Sequence, residues 1–213
     1  MSSAEPLGHV LMTRSGPRAA LREARLVGRG GQGVVTAGEL LGAAAVREGR
    51  HAQSIPSFGP ERRGALCTAT VRLSSEEIWL RCASATPDVV VALDATIWRV
   101  ANAFAGIRDG ATLLFDSTHA PEAIEEELRS GRLGYRLTAQ GCVFRSLDAT
   151  DIALRTIGKP ITNTAMLGAF ARATGLVTMK SLEAVFEERF GARAAANVEA
   201  ARLAASWIEK EGA

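Results

Sequence analysis

The chain alternates between short apolar runs and longer amphipathic stretches. Arg22 to Val27 alternates charged and apolar residues and then reaches Gly28, the pattern of a strand with one buried face. Gly28-Arg29-Gly30-Gly31-Gln32-Gly33 comes next as a turn, and Val34 to Arg47, rich in Ala and Leu, reads as a helix. His51 to Gly64 has no period and contains Pro56, Gly59, Pro60 and Gly64, so a long loop is expected there. Loops of that length inside a domain are often functional. Cys67 to Leu73 alternates and is rich in Thr and Val, which predicts a strand, with Ile78 to Cys82 as its partner across a turn at Ser74-Ser75. The continuous runs Val89 to Leu93, Ala111 to Phe115 and Cys142 to Leu147 predict buried strands, the first of them parallel. They end at Asp94, Asp116 and Asp148, which are expected to act as N-caps at one edge of the sheet. A helix is expected from about Ile97 to Ala105.

The C-terminal third reads as helical. Asn163 or Thr164 is expected to cap a helix that runs to about Thr174 and stops at Gly175. Ser181 starts the next, with Leu182, Val185, Phe186 and Phe190 on one face. The last, from about Arg193, is expected to set Val198, Leu203, Trp207 and Ile208 near a common side. The expected fold is therefore α/β: a single domain with a mostly parallel, Rossmann-like sheet, long glycine and arginine loops, and a helical C-terminal third. Residues 21–213 form that domain, and residues 1–20 form an N-terminal arm.

Composition narrows the function classes. With 213 residues, 47% of them hydrophobic, the chain has an ordinary globular balance. A net charge of +2 gives no footing for nucleic acid or an acidic membrane. No apolar run approaches the ~18 residues of a membrane helix, so no membrane partner is expected, and the scattered cysteines fit a cytoplasmic setting. Cys67, Cys82 and Cys142 are scattered, without a C-x-x-C pair, and fit free thiols in a reducing compartment. An iron–sulfur cluster usually takes four thiolates, and the histidines do not cluster with the cysteines. No metal site of the chain's own is expected, and no residue is assigned to catalysis.

Two segments carry chemistry. A glycine turn between strand and helix exposes backbone N–H groups beside the positive end of the helix dipole, where anions bind. Arg29 can add a charged contact. NAD or FAD is disfavoured: the acidic residue that should end the second strand is missing, and Glu48 lies at the end of the helix instead. No Lys-Ser/Thr pair closes a P-loop. The second segment is Ser57-Phe58-Gly59-Pro60-Glu61-Arg62-Arg63-Gly64, where adjacent guanidinium groups suit phosphate or carboxylate, and where a solvated turn or an intersubunit ion pair is the plainer alternative.

These segments resemble a known family. G-R-G-G-Q-G-V-V-T-A-G-E-L-L at 28–41, S-I-P-S-F-G-P-E-R-R-G-A at 54–65, P-D-V-V-V-A-L-D at 87–94 and T-N-T-A-M-L-G-A at 162–169 look like the gamma subunit, or gamma domain, of pyruvate:ferredoxin oxidoreductase and its 2-oxoacid-oxidising relatives. The resemblance spans roughly residues 22–210. It implies a complex that oxidises a 2-oxoacid with coenzyme A to acyl-CoA and carbon dioxide. Thiamine diphosphate and iron–sulfur clusters would sit in partner subunits (alpha, beta and a delta-type iron–sulfur subunit), and electrons would pass to ferredoxin or another acceptor. This chain would be a non-catalytic subunit associated with coenzyme A. Carried over residue by residue, Gly28, Arg29, Gly30, Gly31, Gln32 and Gly33 form the phosphate- or pantetheine-facing turn. Ser57, Phe58, Gly59, Arg62 and Arg63 form a second loop near the coenzyme or the alpha subunit. Asn163, with Thr164, starts the late helix as a further contact. The alternatives are a purely structural assembly subunit and a self-sufficient nucleotide-dependent enzyme.

Overall fold

The computed structural model describes residues 21–59, 65–80 and 86–211. Six strands form one sheet in the order β2-β3-β1-β4-β5-β6. β1 (Leu21–Arg29) lies at its centre, antiparallel to β3 (Leu66–Ser74) and parallel to β4 (Val89–Ala92). β5 (Thr112–Asp116) and β6 (Val143–Leu147) continue the parallel half. β2 (His51–Phe58) pairs antiparallel with β3 at the far edge. The helices are α1 (Val34–Arg47), α2 (Pro121–Ser130), α3 (Ala149–Ile157), α4 (Asn163–Thr174), α5 (Met179–Phe190) and α6 (Ala194–Glu211). This is the α/β, mostly parallel architecture that the pattern predicts.

Strand alternation splits the core in two. Ala24, Leu26, Val89 and Val91 face α1, α4, α5 and α6. Val27, Val90 and Ala92 point the other way, onto Ile97, Trp98, Phe104 and the α2 residues Ile124 and Leu128. β1 and β4 are thus buried on both faces, which is why β4 reads as an unbroken apolar run.

Four expectations need correction. His51–Phe58 is a strand, not part of a loop. As an edge strand it is only half-buried or exposed, so it lacks an alternating apolar face, and Pro56 is tolerated where one ladder side is free. Ile78 to Leu80 form no strand; the buried Arg72 guanidinium donates to the Leu80 carbonyl at 3.0 Å, so a side chain and not a ladder holds that segment. Residues 81 and 82 of that expected strand lie outside the described residues. The helix expected at 97–105 is two single 3-10 turns, Ile97–Arg99 and Ala101–Phe104, broken at an extended Val100. On α6 the buried stripe is Ala200, Ala201, Ala204, Ala205 and Ile208, while Leu203 and Trp207 are 40% and 55% exposed. The small stripe exists because α4 presses closely on it: a Cβ on Gly168 would collide with the Ala201 backbone.

The strand-end aspartates divide the capping work. Asp148 is the N-cap of α3 and accepts from the Asp151 N–H at 2.8 Å. Asp116 reaches the same helix from β5, accepting from the Thr150 N–H (3.1 Å) and hydroxyl (2.7 Å). Asp94 caps the turn after β4 through the Thr96 N–H at 2.8 Å and also bonds Gln32 in the glycine loop.

Candidate functional site at the glycine loop

The glycine loop leaves β1 where the sheet changes direction. The chain after β1 runs towards β2 and β3, and β4 leads towards β5 and β6. Ligands of open α/β sheets bind in the crevice that such a switch opens at the strand ends. Gln32 shapes the loop: its Oε1 accepts from the Arg29 N–H at 2.7 Å, and its Nε2 donates to Asp94. The Arg29 guanidinium donates to Thr96 Oγ1 at 3.0 Å and lies 3.7 Å from Asp94. Burial pushes the Asp94 carboxyl upward, but the Thr96 and Gln32 hydrogen bonds and the Arg29 charge outweigh it and hold it below its usual range. Arg29 and Gln32 therefore brace the loop against β4, and the Arg29 charge is shared with a carboxylate.

The glycines are needed for different reasons. A Cβ on Gly28 would stand 2.7 Å from Val34 Cγ2, so close strand–helix packing requires that glycine. Gly31 (φ 99°) and Gly33 (φ 79°) adopt the left-handed conformation that glycine favours. Gly30 has neither reason: its φ is not positive, and no described atom lies within 4 Å of where its Cβ would be. Nothing within the described chain demands a glycine there.

The structure joins the other sequence-chosen residues to this loop. The Gly30 N–H donates to the Ala65 carbonyl at 3.2 Å, and the Gly59 N–H to the Leu66 carbonyl at 2.9 Å. The loop thus abuts the β2–β3 connection that carries the second motif. Ser57 and Phe58 end β2, with Phe58 69% exposed. Arg62 and Arg63 lie outside the described residues. On the opposite side, a Cβ on Gly33 would stand 2.5 Å from Asn163 Nδ2, so Asn163 sits directly against the loop. Asn163 is not the cap but the first residue of α4; Thr162 precedes it and donates its hydroxyl to the Leu93 carbonyl at 2.8 Å. Thr164 Oγ1 in turn donates to Asn197 Oδ1 of α6 at 3.1 Å.

The starts of α1 and α4 therefore meet at the glycine loop, and the start of α6, which continues from a 3-10 turn at Gly191–Arg193, lies beside α4. None of α1, α4 and α6 has an acidic residue in its first turn, and the residues preceding α1 and α4 supply no side-chain cap. At the start of α4, the Thr164 N–H donates to Asn163 Oδ1 and the Met166 N–H to the Thr162 carbonyl. The first-turn N–H groups and the aligned peptide dipoles make this corner attractive to an anion. Asn197 was not foreseen from the sequence; its only signal is its place in the first turn of a helix that comes after a polar T-N-T start.

Glu48 is engaged elsewhere. Its carboxylate accepts from the Thr178 N–H (2.7 Å) and hydroxyl (2.9 Å) and closes the N-terminus of α5. It does not occupy the place of a ribose-binding acid. Among the described residues, no group of three or more His, Cys, Asp or Glu side chains could hold a metal ion. No described helix is long and apolar enough to cross a membrane.

Comparison with known proteins places the chain in a family. The family model described as pyruvate ferredoxin/flavodoxin oxidoreductase matches residues 23–207. The chain is 41% identical over 185 residues to the common subunit gamma of pyruvate/ketoisovalerate oxidoreductases from Thermococcus kodakarensis, covering 85% of this chain and 94% of that one. It is 43% identical over 168 residues to the gamma subunit of NADH-dependent phenylglyoxylate dehydrogenase from Aromatoleum evansii, covering 78% and 82% of the two chains. The solved pyruvate oxidoreductase subunit PORC of Thermotoga maritima superposes with a TM-score of 0.74 at 32% identity, covering 88% of this chain and 96% of that one. The chain belongs to the pyruvate ferredoxin/flavodoxin oxidoreductase family. Within it, the chain is of the gamma-subunit type, a component of a multi-subunit 2-oxoacid oxidoreductase.

Proposed function

We propose that this gamma subunit holds the phosphate end of coenzyme A and docks it onto the rest of the complex. The observation that carries the reading is the meeting of the α1 and α4 N-termini at a glycine loop, with the start of α6 beside α4 and Gly30 open to whatever approaches. An anionic phosphate group finds N–H donors and positive potential there, and a backbone without a side chain permits close contact. In this reading Arg62 and Arg63, close in sequence to Ala65, whose carbonyl accepts from the Gly30 N–H, add charge to the same grip.

The chemistry of oxidation belongs to other subunits in this reading. Alpha and beta components hold thiamine diphosphate, which activates the 2-oxoacid. An iron–sulfur component passes electrons to ferredoxin or another acceptor. This chain contributes position: a thiol held near the acyl intermediate reacts at a high effective concentration. It also leaves the choice of oxoacid to its partners, since relatives of about equal identity are named for pyruvate or ketoisovalerate and for phenylglyoxylate. A cytoplasmic complex is the setting that fits.

Gly30→Ala in the assembled complex tests this. The expected outcome is a Michaelis constant for coenzyme A raised roughly tenfold, a loss of ~1.4 kcal/mol of binding. The constant for the oxoacid stays unchanged, and stability shifts by no more than ~0.5 kcal/mol. Intact assembly with an unmoved coenzyme constant would reduce the chain to an assembly element.

A further inference from the structure

A cavity of about 500 Å³ opens between the starts of α4 and α6 and the end of α5. Its composition is one-sided. Lys159 and Arg193 line it, and no carboxylate does. Neither cation makes an ion pair or side-chain hydrogen bond among the described residues, so both are available to a group in the cavity. Ile157, Ile161 and Phe190 supply apolar wall. The first turn of α6, free of acidic residues, forms another side.

Asn163 is the second observation. Only 4% of it is exposed, and its Oδ1 is taken by the Thr164 N–H. That bond fixes the amide's orientation and leaves Nδ2 as a donor with no acceptor among the described residues, on the cavity lining. A donor that an otherwise buried side chain opens onto a cavity is placed to meet an acceptor on a ligand there. The same Nδ2 abuts Gly33, so the cavity and the glycine loop share one side chain.

The cavity thus offers donors and positive charge beside apolar wall, at the size of sites that take nucleotide-sized groups. We propose that it takes a phosphorylated nucleoside and that Lys159 and Arg193 recognise its phosphomonoester. On the coenzyme reading above, which this inference deepens, that group is the 3′-phosphate of the adenosine end. Phe190 and the isoleucines flank the base, Asn163 donates to an acceptor on the ligand, and the pyrophosphate continues to the glycine loop. Lys159 and Arg193 are then specificity-determining residues.

The test compares coenzyme A with 3′-dephospho-coenzyme A in the assembled complex. Wild type is expected to show a Michaelis constant roughly tenfold lower for coenzyme A, the scale of a charge-assisted phosphate contact. Lys159→Ala and Arg193→Ala each raise the constant for coenzyme A several-fold and leave that for the dephospho form unmoved, so the preference collapses. Lys159→Arg restores most of it. Both side chains are exposed, and an unchanged melting temperature excludes a folding defect. A preference that survives both alanine variants overturns the inference. Gly30→Ala separates the two readings, because it weakens both forms alike. If it does so while the preference is insensitive to Lys159 and Arg193, only the cavity assignment falls. If Gly30→Ala is also silent, the coenzyme reading falls with it.

Discussion

The helix N-termini of this molecule are finished in two opposite ways. α3 is closed by carboxylates of its own chain, Asp148 and Asp116, and α5 by Glu48. α1, α4 and α6 carry no acid in their first turns, and these three converge on the glycine loop and the neighbouring cavity. The contrast shows that the open corner is not a shortage of capping chemistry, since the chain supplies carboxylates to α3 and α5, where the cap only builds the fold. Where these dipole ends gather and the nearby carboxylate, Asp94, is engaged by Thr96, Gln32 and Arg29, the missing charge is one a ligand brings.

The largest way to break the contrast is to pry the open set apart. Gly168→Ala places a methyl against the Ala201 backbone, where α4 and α6 must separate. The expected cost is about 2–3 kcal/mol in chemical denaturation, as for overpacking of a tight core. The constant for coenzyme A should rise with it, because Asn163 and Asn197 ride on those helices. A smaller effect, of opposite selectivity, is expected on the closed set. Asp148→Ala removes the α3 cap and costs about 1 kcal/mol. It leaves the coenzyme constant where it was, so a kinetic defect in that variant would blur the distinction between the two sets.

Acid titration sharpens the comparison at smaller scale. Burial pushes the Asp116 carboxyl above its usual range, with the Asp148 charge adding and the Thr150 hydrogen bonds opposing. Asp94, at the open corner, is held below it. The signs differ accordingly. Asp94 contributes stability that is present above about pH 3.9 and lost as pH falls through its lowered folded value. For Asp116 the fold favours the protonated form, so its contribution is present below about pH 3.9 and lost as pH rises through its raised value. Melting temperature followed between about pH 2.5 and 6 should show Asp94→Asn flattening the acid limb. Asp116→Asn should gain on wild type as pH rises. Matching trends for the two variants would contradict the assignment.

Much of the fold was legible in the sequence because its central elements are buried on both faces or punctuated by glycine. β1, α1 and the parallel strands can be read from apolar runs and from Gly28, Gly33 and Gly175. The edge was not legible. β2 has no buried face to impose an apolar period, and Arg72 fastens the segment after β3 with a side chain, which no periodicity encodes. The α6 face misleads for a related reason: large apolar residues such as Leu203 and Trp207 draw the eye, yet close packing against Gly168 selects alanine. At the site, the glycine loop and Asn163 were visible as motifs. Their contact through Gly33, the arrival of Asn197, and the unpaired Lys159 and Arg193 depend on how α4 and α6 pack, a pairwise fact that single positions do not carry.

The most direct measurement is backbone hydrogen exchange of the assembled complex with and without saturating coenzyme A. The account predicts slowed exchange at the amides of residues 30–36 and 163–166 and at the start of α6, with the capped first turns of α3 and α5 unchanged. Protection confined to other subunits, with these amides exchanging as before, would contradict it.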